Sequence, residues 1–400
     1  MAPKKPAKAE EAAALNNFSF FTEMKTGNKF ADAKKTTEPV HIDTGCYAFN
    51  AIYSGDMTKG FLSDRITMLA GEEAVGKTFF TIYGHALPLV KQGYFIFYID
   101  TENSISEQML ISFGLPKGSF RIIRESTVEE ARERIAVLLD QIEEQMGNST
   151  ENKHKCAFIL DSLGQLTTLK SMSDASDGKY TRDFTKQSEL KRMFAVLTTR
   201  MGFLDIPFII TNHVYQGMGS FIPTKEVAGG SGALYAASTI LMLRKSQAKE
   251  DGKDENRTGS IITAKIRKSR WCREGLEVKF YLAFATGLNK WYGVHLLAQE
   301  AGLLEEWEDK HTKMGVPEAV WNKPGKKAEG KIWVCKNPSI DPSKWTAVYE
   351  TDLHKSTGIG SIFEPVNEWV KTNFTLSKVD QNNQEQDEDA GIDNEEETAE

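Results

Sequence analysis

One octet carries the clearest chemistry in the chain. Gly71-Glu72-Glu73-Ala74-Val75-Gly76-Lys77-Thr78 fits the pattern G-x-x-x-x-G-K-[ST]. At this spacing the glycines let the backbone wrap around an anion, and main-chain N–H groups and a helix start meet its charge. The context agrees: the strand-like RITMLA (65 to 70) runs into the octet, and the helix-like FFTIYGHALPLVKQ, beginning at Phe79, leaves it. The chemistry implied is binding of a nucleoside triphosphate, with ATP as the expectation. Lys77 would reach the β and γ phosphates, and Thr78 would hold Mg²⁺ through its hydroxyl.

Two acidic positions extend that chemistry. Asp161 closes the apolar run CAFIL (156 to 160) ahead of Ser162-Leu163-Gly164, where a carboxylate can complete the metal shell. The run YFIFYI (94 to 99) ends in Asp100-Thr101-Glu102, so Glu102 is the candidate base that orients and deprotonates water. An acid at a strand end is also a common way to start a turn, and both readings stand at this point.

The elements that must position these residues are legible as an alternation of short β-rich runs and helical patterns between about residues 43 and 290. Besides the three runs above, PFIIT (207 to 211), TILML, SIITAKI and EVKFYLA read as strands, and their near-continuous apolarity suits a sheet buried on both faces. Thr127 and Glu130 form a capping box that opens the helix VEEARERIAVLLDQIEEQM, and SELKRMFAVLTTRM is a second amphipathic helix. The expected fold is α/β, a mostly parallel central sheet flanked by helices. Residues 1–42 read as an arm with Phe18, Phe20 and Phe21, residues 291–375 as a small α+β domain with a helix over YGVHLLAQEAGLLEEW, and residues 376–400 as a disordered acidic tail.

Composition sets the remaining bounds. The first thirty residues lack the apolar run of a signal peptide, and no stretch approaches a membrane span. Cys46, Cys156, Cys272 and Cys335 are far apart, with no metal-ligand or disulfide spacing, which fits a reducing cytoplasm. Asp380 to Glu400 holds ten acidic and no basic residues, turning the formal −7 of the whole chain into +3 for the remainder. That balance accommodates a basic groove for nucleic acid. The tail then reads either as a solubilising segment or as an internal competitor for a DNA-binding surface.

The order strand, octet and helix, then strand-Asp100-x-Glu102, strand-Asp161-Ser162, and a strand ending Thr211-Asn212-His213 resembles the RecA family of recombinases. The resemblance covers roughly residues 43 to 300, from Asp43-Thr44-Gly45 to GLNKWYGVHLLAQEAGLL. With Phe20-Phe21 and a histidine after Asn212, it is most similar to the UvsX type of tailed phages. It implies a RecA-like ATPase core and an ATP- and Mg²⁺-dependent DNA strand-exchange activity. The implied partners are single-stranded DNA, homologous duplex, further copies of the chain in a helical filament, and single-strand-binding and mediator proteins, in a bacterial host cytoplasm if the chain is phage-encoded.

Residue by residue, Glu102 matches the family's catalytic glutamate and His213 its γ-phosphate sensor. Lys268 and Arg270, in KIRKSRW, match paired cations that reach a neighbouring subunit's nucleotide. Two segments resemble the family's DNA loops. One is about Lys170 to Lys186, with Lys179, Tyr180 and Arg182; the other is Gln216 to Gly232, with Met218, Phe221, Ile222, Lys225, Gly229 and Gly230. Lys and Arg would neutralise phosphates there, and apolar residues would wedge between bases. Where the family stacks a tyrosine on adenine, seven residues after the glutamate, this chain has Met109, which leaves the adenine contact open. A hexameric helicase on the same core and a non-catalytic mediator are the alternative functions.

Overall fold

The computed structural model describes residues 39–146, 155–178, 185–216, 225–227, 230–246, 258–306, 332–336, 345–349, 353–356 and 359–376. The arm up to residue 38, the acidic tail beyond residue 376, and Lys179, Tyr180, Arg182, Met218, Phe221, Ile222 and Gly229 lie outside the described residues.

The short strands β1 (His41–Ile42) and β2 (Phe61–Leu62) pair antiparallel around helix α1 (Tyr47–Ser54). Strand β3 (Ile66–Gly71), buried at every position, then delivers the chain to the octet. The helix expected after it comes in three pieces: α2 (Lys77–Thr81), a π-helical turn over Ile82–Ala86, and α3 (Leu87–Lys91). Pro88 has no N–H to donate into the preceding turn, and widening that turn accommodates it.

Next come β4 (Phe95–Asp100), α4 (Glu107–Ser112), β5 (Phe120–Arg124), α5 (Val128–Met146), β6 (Cys156–Asp161), α6 (Leu169–Ser176), α7 (Thr185–Leu204) and β7 (Phe208–Gln216). They are followed by β8 (Lys225–Val227), α8 (Gly230–Ala236), β9 (Thr239–Ser246), β10 (Gly259–Ser269), β11 (Glu277–Ala283) and β12 (Gly287–Leu288).

Among the described residues the main sheet has ten strands, ordered β12-β11-β10-β9-β3-β7-β6-β4-β5, with β8 folded back on β7. The stretch from β9 to β5 is parallel and β10 to β12 add an antiparallel extension. This is the helix-flanked α/β sheet that the alternating pattern implied, and it is consistent with the RecA-like core that the resemblance implied. Strand β5 was not foreseen, because FRIIR is short and interrupts its apolar residues with Arg121 and Arg124, both exposed at one edge of the sheet. The other edge is the two-residue β12.

Each sheet face carries its own apolar cluster. On one side Phe49, Phe80 and Phe280 pack together, with the Phe80 and Phe280 rings stacked at 4.6 Å. On the other, Val128, Ala131 and Ile135 of α5 and Leu190, Phe194 and Leu197 of α7 cover Phe158 and Phe208. Each fully buried aromatic contributes about 1.5–3 kcal/mol over an exposed one. Helix α5 starts at the foreseen cap, with a difference: Glu130 N–H donates to Thr127 Oγ1 (3.2 Å), while the Glu130 carboxylate accepts from that hydroxyl (2.8 Å) rather than from the threonine N–H.

After the sheet, α9 (Val294–Glu300) is shorter than the helix expected over 292–307. Gly302 turns the chain at positive φ into β13 (Leu304–Glu306), which pairs with β14 (Ile332–Lys336), itself paired with β15 (Trp345–Tyr349). Helix α10 (Phe363–Phe374) returns to α1. Val366, Val370 and Phe374 join the same apolar cluster as Phe49, and Asn367 accepts from Met57 N–H (2.7 Å) and donates to Asp56 (3.1 Å). No helix among the described residues is long and apolar enough to cross a membrane.

Candidate nucleotide site

The site is built at the carboxyl ends of β3, β4, β6 and β7, which the parallel register brings level. Gly71 lies opposite His213, and Asp100 opposite Asp161. Gly71 has to be glycine because a Cβ there would sit 2.9 Å from the Leu243 carbonyl of β9. The loop beyond it uses positive φ at Ala74 (58°) and Gly76 (93°) to fold over the start of α2. Lys77 is mostly buried, its ammonium donating to the Gly71 and Glu72 carbonyls at 3.0 and 2.9 Å. Burial lowers its pKa, an effect opposed by Asp161, Glu102 and Glu73 nearby.

Asp161 is 4% exposed and accepts three hydroxyl bonds: from Thr78 Oγ1 (2.7 Å) and the Tyr98 hydroxyl (2.6 Å) on Oδ2, and from Thr211 Oγ1 on Oδ1. Burial pushes the Tyr98 phenol well above its ordinary value, so it is a donor at neutral pH. Thr78 and Asp161 present hard oxygen donors side by side, the chemistry that suits Mg²⁺ held by one or two protein oxygens plus phosphate and water. Among the described residues no group of three or more His, Cys, Asp or Glu could hold a metal by itself.

Glu102 sits on a loop organised by Asp100, whose carboxylate accepts the N–H groups of Glu102, Ser104 and Ile105 at 3.2, 3.2 and 3.0 Å. From β5, Arg124 donates to Asn103 Oδ1 (2.7 Å) and the Ile105 carbonyl (3.1 Å). Glu102 Oε1 in turn accepts from Ser162 Oγ (2.7 Å) and His213 Nε2 (3.1 Å). Partial burial works to raise the carboxyl pKa, but the bonds from Ser162 and His213, with the charges of His213 and Lys77, outweigh it and leave it below the ordinary value. Glu102 is therefore ionised at neutral pH, as a base must be.

A cavity of about 430 Å³ opens over these groups. Its polar half is formed by the stretch Glu73 to Phe79 with Glu102, Asp161 and His213; Gly71 and Glu72 are not part of its lining.

Two curated proteins resemble the chain. The recombination and repair protein of Enterobacteria phage T4 is 27% identical over 281 residues, 70% of this chain and 67% of that protein. The DNA repair and recombination protein RadB of Thermoplasma acidophilum is 24% identical over 242 residues, 60% of this chain and 90% of that one. The chain is thus similar to recombination and repair proteins of the RecA type. No protein-family model matches it.

Other groups of the chain fall around the cavity or away from it. The apolar half of the cavity is lined by Ile105, Met109, Ile262, Leu282 and Phe284, with Lys245 and Ser260 beside them. Met109 thus does line the site. Phe284, 54% exposed although large and apolar, is the aromatic that sequence reading missed. Its one signal was EVKFYLAF, which carries the apolar pattern of β11 one residue past the strand.

Lys268 and Arg270 do not line the cavity. Lys268 pairs with Ile240 and Ser269 with Thr239, whose β3 partners are Met68 and Thr67, so both cations lie toward the end of the strands opposite the octet. There Lys268 Nζ stands 5.9 Å over the Tyr235 ring.

In the parts that the structure describes, the two segments expected as DNA loops hold helix and strand. Lys170 is on helix α6, and Lys186, already in α7, donates to the Gly164 carbonyl at 3.0 Å. The second segment is framed by ordered backbone: Gln216 pairs with Lys225 at the base of the β7–β8 hairpin, and Gly230 begins α8. Helix and hairpin pairing satisfy backbone groups that a loop would leave to water.

Proposed function

We propose that this chain is an ATP- and Mg²⁺-dependent DNA strand-exchange recombinase, a DNA-dependent ATPase that assembles on single-stranded DNA as a filament and pairs it with homologous duplex. It would serve recombination and repair, the roles named for its phage and archaeal relatives, and recombination-dependent replication. The observation that carries the reading is the Glu102–His213 bond inside the cavity. It joins the candidate base to β7, and three residues past His213 that strand ends in the hairpin framing the Gly-rich second segment. A change at the terminal phosphate is thereby one side chain away from the segment proposed to hold DNA.

In this mechanism Lys77 and the octet backbone bind the phosphates, with Thr78 and Asp161 holding Mg²⁺. Held by Thr78 and Asp161, Mg²⁺ would supply charge neutralisation for the phosphates. Glu102, kept ionised and aimed by Ser162 and His213, orients the attacking water and accepts its proton. Phe284 and Met109 give the base an apolar wall. Lys268 and Arg270, placed away from their own cavity, act on the nucleotide of a neighbouring copy, so hydrolysis requires assembly. Met218, Phe221, Ile222, Lys225, Lys179 and Arg182 are the proposed DNA contacts.

The test is joint-molecule formation between a labelled single strand and a duplex, with homologous and scrambled sequences, with and without ATP. Pairing that needs both homology and ATP is the expected result. Unwinding of a forked duplex regardless of homology, without pairing, would replace the recombinase with a helicase. No DNA-stimulated ATPase would replace it with a mediator.

A further inference from the structure

Tyr98 is 0% exposed and its ring belongs to the apolar cluster beneath α1 and α2. A phenylalanine would fill the same space without an oxygen to satisfy, and a buried hydroxyl costs free energy unless bonded. This hydroxyl is bonded, at 2.6 Å, to Asp161 Oδ2. The register of β4 on β6, with Tyr98 opposite Ile159 and Asp100 opposite Asp161, places the phenol one strand over and two residues short of the carboxylate.

The three donors to Asp161 differ in what anchors them. Thr78 is at the start of α2, next to the phosphate loop, and is itself a proposed metal ligand; Thr211 ties the other oxygen from β7. Tyr98 alone is fixed in the apolar core.

We infer that Tyr98 is a positioning residue for the metal-binding carboxylate: its hydroxyl locks the rotation of the Asp161 side chain so that its remaining acceptor sites face Mg²⁺ and its waters in one orientation. The inference rests on the nucleotide-site reading above. Magnesium demands near-ideal octahedral geometry and keeps several waters, so a carboxylate free to turn holds it less well. Donors to a metal-binding group typically change metal affinity ten- to a hundred-fold when removed.

The experiment is a Mg²⁺ titration of full-length protein with a fluorescent ADP analogue, repeated with Mn²⁺ while free Mn²⁺ is followed by its EPR signal. Wild type is compared with Tyr98→Phe and with Tyr94→Phe, which removes the hydroxyl of another buried tyrosine just before the same strand. Tyr98→Phe is expected to bind the analogue in EDTA as wild type does, while its half-saturating Mg²⁺ and Mn²⁺ rise about tenfold. Tyr94→Phe should leave both midpoints in place. An unchanged or lowered midpoint in Tyr98→Phe, or an equal rise in Tyr94→Phe, overturns the inference and leaves the site reading standing. If wild type binds the analogue with no dependence on divalent metal, the site reading falls and the inference with it.

Discussion

The two halves of the cavity are assembled in different ways. The polar half comes from four adjacent parallel strand ends, each contributing a residue at a fixed place in its own short motif: Lys77 and Thr78, Glu102, Asp161, His213. The apolar half gathers Met109 from α4 with Ile262, Leu282 and Phe284 from the antiparallel extension and its end, more than 150 positions further along the chain. The first is polar, hydrogen-bonded and pre-arranged. The second is an apolar wall whose members share no motif. A constellation that needs fixed geometry is written in local sequence, whereas the shape of an apolar wall is left to packing.

The strongest way to break that contrast is Lys77→Ala. It should lower kcat/KM for ATP on the order of 10³-fold, the scale of losing one charged donor at a phosphoryl centre; near-normal steady-state hydrolysis would remove the octet from the chemistry. Glu102→Gln should then lower kcat about 10²-fold or more while nucleotide affinity, read by equilibrium binding, stays close to wild type. Unchanged turnover would sink the base assignment.

In the apolar half, Phe284→Ala should raise the nucleotide Kd about tenfold, the value of one lost base–aromatic stack, and leave kcat in place. A matching fall in kcat would show that the two halves are not separable. The smallest effect concerns pH. The bonds from Ser162 and His213 hold the Glu102 pKa below its ordinary value, so the base form persists as pH falls and is lost only when pH drops through that depressed pKa. His213→Ala removes one of those bonds, and the acid limb of the kcat profile should move to higher pH. A limb that stays put would make His213 a bystander.

Legibility in the sequence followed the same division. The octet, Asp161 and Glu102 could be read because each ends an apolar run of strand length, and parallel pairing carries such ends to one edge without further information. The tie between Glu102, Ser162 and His213 spans positions 102 to 213 and depends on strand order, which alternation of strands and helices does not specify. Tyr98 was hidden for another reason: inside YFIFYI it reads as one more core aromatic, and only its 2.6 Å bond to Asp161 sets it apart. Strand β5 was missed because charge interrupts its pattern, and Arg124 with it, although that arginine holds the loop behind Glu102. The helix after the octet was legible as helix but not as one broken by a π turn before Pro88.

The two borders of the main sheet differ from its interior. One is β5, with Arg121 and Arg124 exposed; the other, β12, is only two residues long. Neither offers a long apolar row of free backbone groups for another strand to copy. Among the described residues, β5 and β12 therefore give a strand from another molecule little apolar backbone to pair with, a border that discourages edge-to-edge aggregation.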